Sequence, residues 1–287
     1  MEKIFRLLTQ NPAVQTLAKG KGNVVTTHIS DEAYLIASAF FAAQKNILVV
    51  KNNQYEALQL YRQLVDMNQK DVLFFPVDES QRIEALVQSP ELLAERINTL
   101  YQLQSNEPKI VIAHTASLIR YLPSVSLFKE RMLHLQVNQQ IEINDLKRAL
   151  IYNGYQYTTR VDQPFYFAQR GGVIDVYSMQ YPNPIRIEFF DDEIESIRFY
   201  DADDQRTIES VLEVDIIPAT DILYEDEAIE SCCEKVFALK QDCIGKLDTF
   251  KQDELDENIA IDLENLRQHD TSFSMYKFLP FLKIGRA

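Results

Sequence analysis

The sequence predicts an α/β chain: a mostly parallel sheet domain carrying an inserted small α+β domain with an antiparallel sheet. Three observations carry this. Short apolar runs and amphipathic helical stretches alternate strictly up to about residue 115, the pattern of crossover units around parallel strands. From about residue 120 to Ile208 the runs shorten and several alternate with period two, as half-buried antiparallel strands do. Beyond Ile217 the chain becomes helical again, with acidic, proline-free amphipathic stretches over 225–247 and 253–268. The expected division is 1–119, an insert over 120–208, and a helical part over 209–287 that returns to pack on the first.

Element by element, residues 1–20 read as a short amphipathic helix on Ile4, Leu7, Leu8, Val14 and Leu17, interrupted at Asn11-Pro12. Gly20-Lys21-Gly22 is a turn, and the β-branched run 23–27 a strand. Ser30 reads as the cap of a helix through 33–43. A strand follows at 47–50, a helix at 55–65 and a strand at 72–75. Ser89-Pro90-Glu91 opens the next helix, with proline at its first position, and 110–113 is a strand. In the insert, 133–137 is a strand and 143–153 a helix on Leu146, Leu150 and Ile151. Residues 168–177 and 184–201 then read as three short strands, with Asp191-Asp192 as a tight turn. On the strand through 185–190, Ile185, Ile187 and Phe189 share one face, and Arg186, Glu188 and Phe190 share the other, wet one. The apolar end, Phe278-Leu279-Pro280-Phe281, lacks a stop signal and reads as lying inside a longer chain.

Composition narrows the function classes. Apolar residues make up 46% of the 287 residues, enough for a sizeable core, and the net charge of −14 argues against a strong nucleic-acid binder. The three cysteines, Cys232, Cys233 and Cys243, fit no zinc spacing and suit a reducing cytoplasm. No stretch is apolar enough for a transmembrane helix or a signal peptide, so no membrane partner is expected.

A nucleotide-motor core is the natural guess for the first domain, which invites a phosphate-binding loop. The turn where it belongs, Thr26-Thr27-His28-Ile29-Ser30-Asp31-Glu32-Ala33, has neither glycine nor lysine, and its two carboxylates would repel a triphosphate. No glycine occurs between Gly22 and Gly154. Asp191, Asp192, Glu193 and Glu195 could be taken for a catalytic carboxylate pair, but read as a solvated turn with nothing apolar to split their pKa values. Protein docking fits better, because Arg and aromatic residues dominate binding hot spots. Arg170 precedes Gly171-Gly172, where the backbone can bend sharply and expose the guanidinium, and Arg186 and Phe190 share the polar face of the following strand. Arg198 and Arg206 lie nearby as further candidates. The plain alternative is that each arginine pairs with a neighbouring carboxylate such as Glu188.

The segments Gln169-Arg170-Gly171-Gly172-Val173-Ile174-Asp175, Arg186 to Ile194 and Ser196-Ile197-Arg198 through Asp201 resemble the UvrB-type repair module. They resemble more closely the amino-terminal module of bacterial transcription-repair coupling factors. Asp204-Gln205-Arg206-Thr207, Ile216-Ile217-Pro218-Ala219 and the stretch from Ser89 to Arg96 extend the likeness. The resemblance implies a degenerate RecA-like, P-loop-like first domain and an inserted domain whose surface docks UvrA through the trio Arg170, Arg186 and Phe190. It implies no catalytic residue, metal or cofactor in this chain. ATP and magnesium would belong to a motor domain elsewhere in the full-length protein, an ATP-dependent DNA translocase. RNA polymerase and DNA would be reached only through such further domains. The protein's own carboxy-terminal domains would mask the docking face until the motor engages, in a cytoplasmic bacterial setting. UvrB itself carries a working phosphate loop and a long aromatic damage-probing hairpin. The matching region here, 76–96, is short and polar and lacks Tyr and Phe. Two other readings stay open: a UvrB-type ATP-driven DNA helicase or damage-recognition subunit, and an autoinhibitory clamp on the protein's own motor.

Overall fold

The computed structural model describes residues 2–20, 22–67, 69–77, 89–119, 121–245, 248–269 and 273–282. The chain divides into two compact units, residues 1–120 and 121–287.

The first unit runs α1 (Glu2–Leu8), α2 (Pro12–Ala18), α3 (Ile29–Ala43), β1 (Ile47–Lys51), α4 (Gln54–Asp66), β2 (Val72–Phe75), α5 (Pro90–Gln102), β3 (Ile110–His114) and α6 (Thr115–Leu118). Its three strands are parallel in the order β1-β3-β2. Phe74, Ile110 and Ile112 meet Ile36, Phe40, Leu60 and Leu64 in a closed core on one side of the sheet. On β1 the alternation is clear: Ile47 and Val49 pack on that core while Leu48 and Val50 are exposed. Asn53 caps α4 by accepting from the Glu56 amide, and Ser89 caps α5 ahead of Pro90. Buried Arg96 crosses from α5 to the Pro76 and Ser117 carbonyls and stacks on Phe75.

Two expectations fail here. Residues 23–27 form no strand; they enter α3 as open chain, with Val25 90% exposed. A β-branched run becomes a strand only where a neighbouring ladder takes its backbone groups. Ser30 does not cap α3 either. The helix begins at Ile29 behind His28, whose side chain makes no capping bond. Most of the polar region compared with the UvrB hairpin, residues 78–88, lies outside the described residues.

The second unit runs α7 (Val125–Glu130), β4 (Leu133–Gln136), α8 (Ile143–Tyr152), β5 (Gln156–Tyr157), β6 (Tyr166–Arg170), β7 (Val173–Val176), β8 (Ile185–Phe190), β9 (Glu193–Tyr200), β10 (Thr207–Val211), β11 (Glu213–Ile216), α9 (Asp226–Ile244), α10 (Thr249–Arg267) and a 3-10 turn over Phe273–Phe281. Six strands form one sheet in the order β10-β9-β8-β7-β6-β5, antiparallel except for the short β5–β6 pair. β4 and β11 form a separate antiparallel pair. The stretch expected as three strands is four, because Gly171, at φ +57°, turns the chain back and splits it into β6 and β7. A side chain at Gly172 would stand 3.1 Å from the Phe189 carbonyl, so the turn also needs its second glycine small.

The acidic helices, expected to return to the first domain, group with the second unit. α9 buries Ile229, Cys232, Cys233 and Val236, a stripe at helical spacing, against Leu263 and Leu266 of α10 and against Ile222, Tyr224, Met275 and Phe278. Burial pushes the Cys232 thiol up to about 11, so it behaves as an apolar core group. No helix among the described residues is long and apolar enough to cross a membrane.

Candidate partner-docking face

Register decides which side chains share a face. Asp175 of β7 stands opposite Arg186 of β8, which stands opposite Arg198 of β9. Val173, Glu188 and Ser196 form the next row, and Arg170 of β6 pairs with Val173. The opposite face carries Ile174, Val176, Ile185, Ile187 and Ile197, all buried. Near the β8–β9 turn the ladder slips: Glu188 faces Ser196 but Phe189 faces Ile194, which leaves Glu195 as an extra residue on β9. That bulge lets Ile194 and Ile197, three residues apart, both point into the core. β8 itself is unbroken, so Phe190 stays on the face of Arg186 and Glu188.

All three predicted docking residues therefore lie on one face of the sheet, but in different states. Phe190 is 70% exposed, beside the turn where Asp191 takes φ +53°. Arg170 is exposed and donates from Nη2 to the Thr159 carbonyl, with no carboxylate paired to it among the described residues. Arg186 is not a free cation on a wet surface. Its Nε and Nη2 grip both oxygens of Asp175 at 2.7 and 2.8 Å, and Nη2 also donates to Gln205 Oε1 at 2.9 Å. Its guanidinium carbon lies 4.4 Å from the centre of the Tyr200 ring. The hydrogen bond to Asp175 raises the Arg186 pKa further above its ordinary value, against the opposing effect of burial.

The further candidates differ in the same way. Arg198 sends Nη1 and Nη2 to the two oxygens of Glu188 at 2.7 and 2.6 Å, and the Ser196 hydroxyl donates to the same carboxylate. That pairing, Arg198 foremost, holds Glu188 below the usual carboxylate range. Glu188 thus pairs with Arg198, whereas the sequence reading offered it as a partner for any of the arginines. Arg206 is exposed and only loosely paired, 3.5 Å from Asp204. The residues that sequence reasoning missed are Asp175, Gln205 and Tyr200, which fix Arg186. Asp175 had a signal: it is an acid inside the apolar strand Val173-Ile174-Asp175-Val176, and a buried acid implies a partner.

The other flagged place, the chain ahead of α3, brings no cradle together. The approach to α3 is open chain, and Glu32 in its first turn is taken by Lys51 at 2.9 Å.

Comparison with known proteins bears on this face. Residues 133–222, which contain all five candidate residues, match the family model described as the UvrB interaction domain. The chain is 33% identical to a transcription-repair-coupling factor of Bacillus subtilis over 93% of its own length and 23% of the relative's. Most of the chain is thus similar to part of a transcription-repair-coupling factor, and the docking face lies in the segment that matches the UvrB interaction domain. It is 29% identical to such a factor from Staphylococcus haemolyticus over 91% of its length, and 31% identical to one from Staphylococcus aureus over 83%. It spans less than a quarter of the length of these coupling factors.

Proposed function

We propose that the chain is the UvrA-recruiting module of a transcription-repair coupling factor, which links stalled transcription to excision repair, and that UvrA docks on the outer face of β6 to β9. The observation that carries the reading is the shared face. Inside the stretch that matches the UvrB interaction domain, register puts on one face an exposed benzyl ring at Phe190, a guanidinium at Arg170 with no carboxylate partner among the described residues, and an oriented guanidinium at Arg186. An exposed aromatic next to arginines is the composition of a binding hot spot. The first unit reads as a degenerate motor fold that binds no nucleotide. Its three parallel strands fit the scaffold, and the glycine-free, carboxylate-bearing approach to α3 lacks what a phosphate loop needs. ATP hydrolysis, DNA translocation and polymerase contact then belong to other parts of a full-length factor.

The test is a calorimetric titration of purified UvrA into the chain. Phe190→Ala, a change at an exposed side chain, weakens binding by about 1–4 kcal/mol with no change in thermal stability. A Phe190→Ala variant that binds as tightly as the parent removes this face from the interaction.

A further inference from the structure

The two arginines of the proposed docking trio are built for different work. A guanidinium has five N–H donors. Three of those of Arg186 are spent inside the chain: Nε on Asp175, and Nη2 on Asp175 and Gln205. Among the described residues Nη1 donates to no carboxylate, amide or carbonyl, and the Tyr200 hydroxyl also lies within hydrogen-bonding reach of the guanidinium. The holders are themselves fixed. Asp175 is 5% exposed, in mid-strand. Gln205 sits in a left-handed position, φ +63°, with its backbone amide on the Asp201 carbonyl at 2.9 Å and its side-chain nitrogen on the Ala202 carbonyl at 3.1 Å. Tyr200, under the guanidinium, is fully buried. Arg186 is thus locked in plane and direction, and its charge is balanced by Asp175. Among the described residues Arg170 has no such partner, and its hydrogen bond there is to a neutral carbonyl.

We infer that Asp175 and Gln205 are positioning residues that present Arg186 as a charge-balanced, direction-fixed donor edge, while Arg170 supplies the unbalanced positive charge of the face. This rests on the docking reading above and adds the chemistry of the partner's patch. That patch offers neutral oxygen acceptors opposite Nη1 of Arg186, one carboxylate opposite Arg170, and an apolar recess for Phe190. Arg198 takes no part in charge recognition, because both of its terminal nitrogens are held by Glu188.

The experiment is a lysine swap, read as the Kd for UvrA at low and high salt. A lysine keeps the charge but loses the fork. Arg170→Lys binds within about three-fold of the parent, and Arg170→Gln flattens the salt dependence. Arg186→Lys keeps an ion pair to Asp175, yet weakens binding about ten-fold or more at both salt concentrations. Gln205→Ala, which leaves the Asp175 pair in place, weakens binding by about three-fold and covers the case in which Arg186→Lys unfolds. Phe190→Ala in the same series separates the two levels of failure. If Phe190→Ala weakens capture while Arg186→Lys and Gln205→Ala bind like the parent, the positioning inference is wrong and the docking reading stands. If Phe190→Ala is also silent, the docking reading itself is wrong.

Discussion

Arg186 and Arg198 face each other in register across β8 and β9, a placement that would repel if either charge were bare. Each is instead matched by its own carboxylate, Asp175 for one and Glu188 for the other. The consequences differ with burial. The Asp175 side chain is 7% exposed and that of Glu188 30%, so losing the arginine strands a buried carboxylate only at Asp175. Arg186→Ala therefore destabilises the chain by about 2–4 kcal/mol, and Arg198→Ala by about 1 kcal/mol or less, as read from urea midpoints. A binding loss in the Arg186→Ala variant therefore has to be separated from unfolding. At this scale the sequence showed which face Arg186 occupies, because period-two alternation is local. It hid what Arg186 touches, because Asp175 and Gln205 reach it only through strand register and the turn before β10.

At the scale of elements, the apolar core that joins the acidic helices to Ile222 and Tyr224 also holds a buried histidine. His269, just past α10 at φ +54°, is 5% exposed and lies between the rings of Tyr152 of α8 and Tyr224, at 4.1 and 4.8 Å. Its Nε2 is 2.6 Å from Asp226 Oδ1; a carboxylate oxygen only accepts, so the ring donates. Burial holds His269 below the ordinary histidine value; Asp226 opposes that shift and Arg131 adds to it. The unfolded chain therefore takes up the proton first. The stability due to neutral His269 is present above about pH 6.5 and is lost as pH falls. Between about pH 7.5 and 5.5 the parent loses stability relative to a His269→Phe variant. His134 on β4 runs the opposite way: its hydrogen bond to Asp215 lifts it, so its contribution is present at low pH and fades as pH rises. Paired denaturation curves at the two pH values check both signs; a His269→Phe variant that tracks the parent contradicts the first.

The elements were legible where a local pattern met a local partner. β1, β2 and β3 are apolar runs flanked by capped helices, and Ser89-Pro90 marked the start of α5. The strand expected over 23–27 had the composition but no ladder, and the Glu195 bulge breaks the alternation that sequence reading relies on. The turn at Gly171-Gly172 was read as a bend that exposes Arg170, yet it closes a complete hairpin. Only the later return of β8 against β7 makes that visible.

For the whole molecule, two compact units divide the work. The first keeps the parallel sheet of an α/β domain, and the second carries the sheet that matches the UvrB interaction domain together with the acidic helices. Which unit a helix joins was not legible, because α9 and α10 show an apolar stripe but no address; the stripe's partners, Ile222, Tyr224 and Met275, lie outside both helices. Docking of UvrA on the outer face of β6 to β9 is open to test by hydrogen exchange of the chain with and without saturating UvrA. With UvrA on that face, exchange slows in peptides covering the Gly171-Gly172 and Asp191-Asp192 turns and in those from β8 and β9, with α3 and α4 unchanged. Slowing confined to the first unit or to α9 and α10, with both turns exchanging as in the free chain, would contradict it.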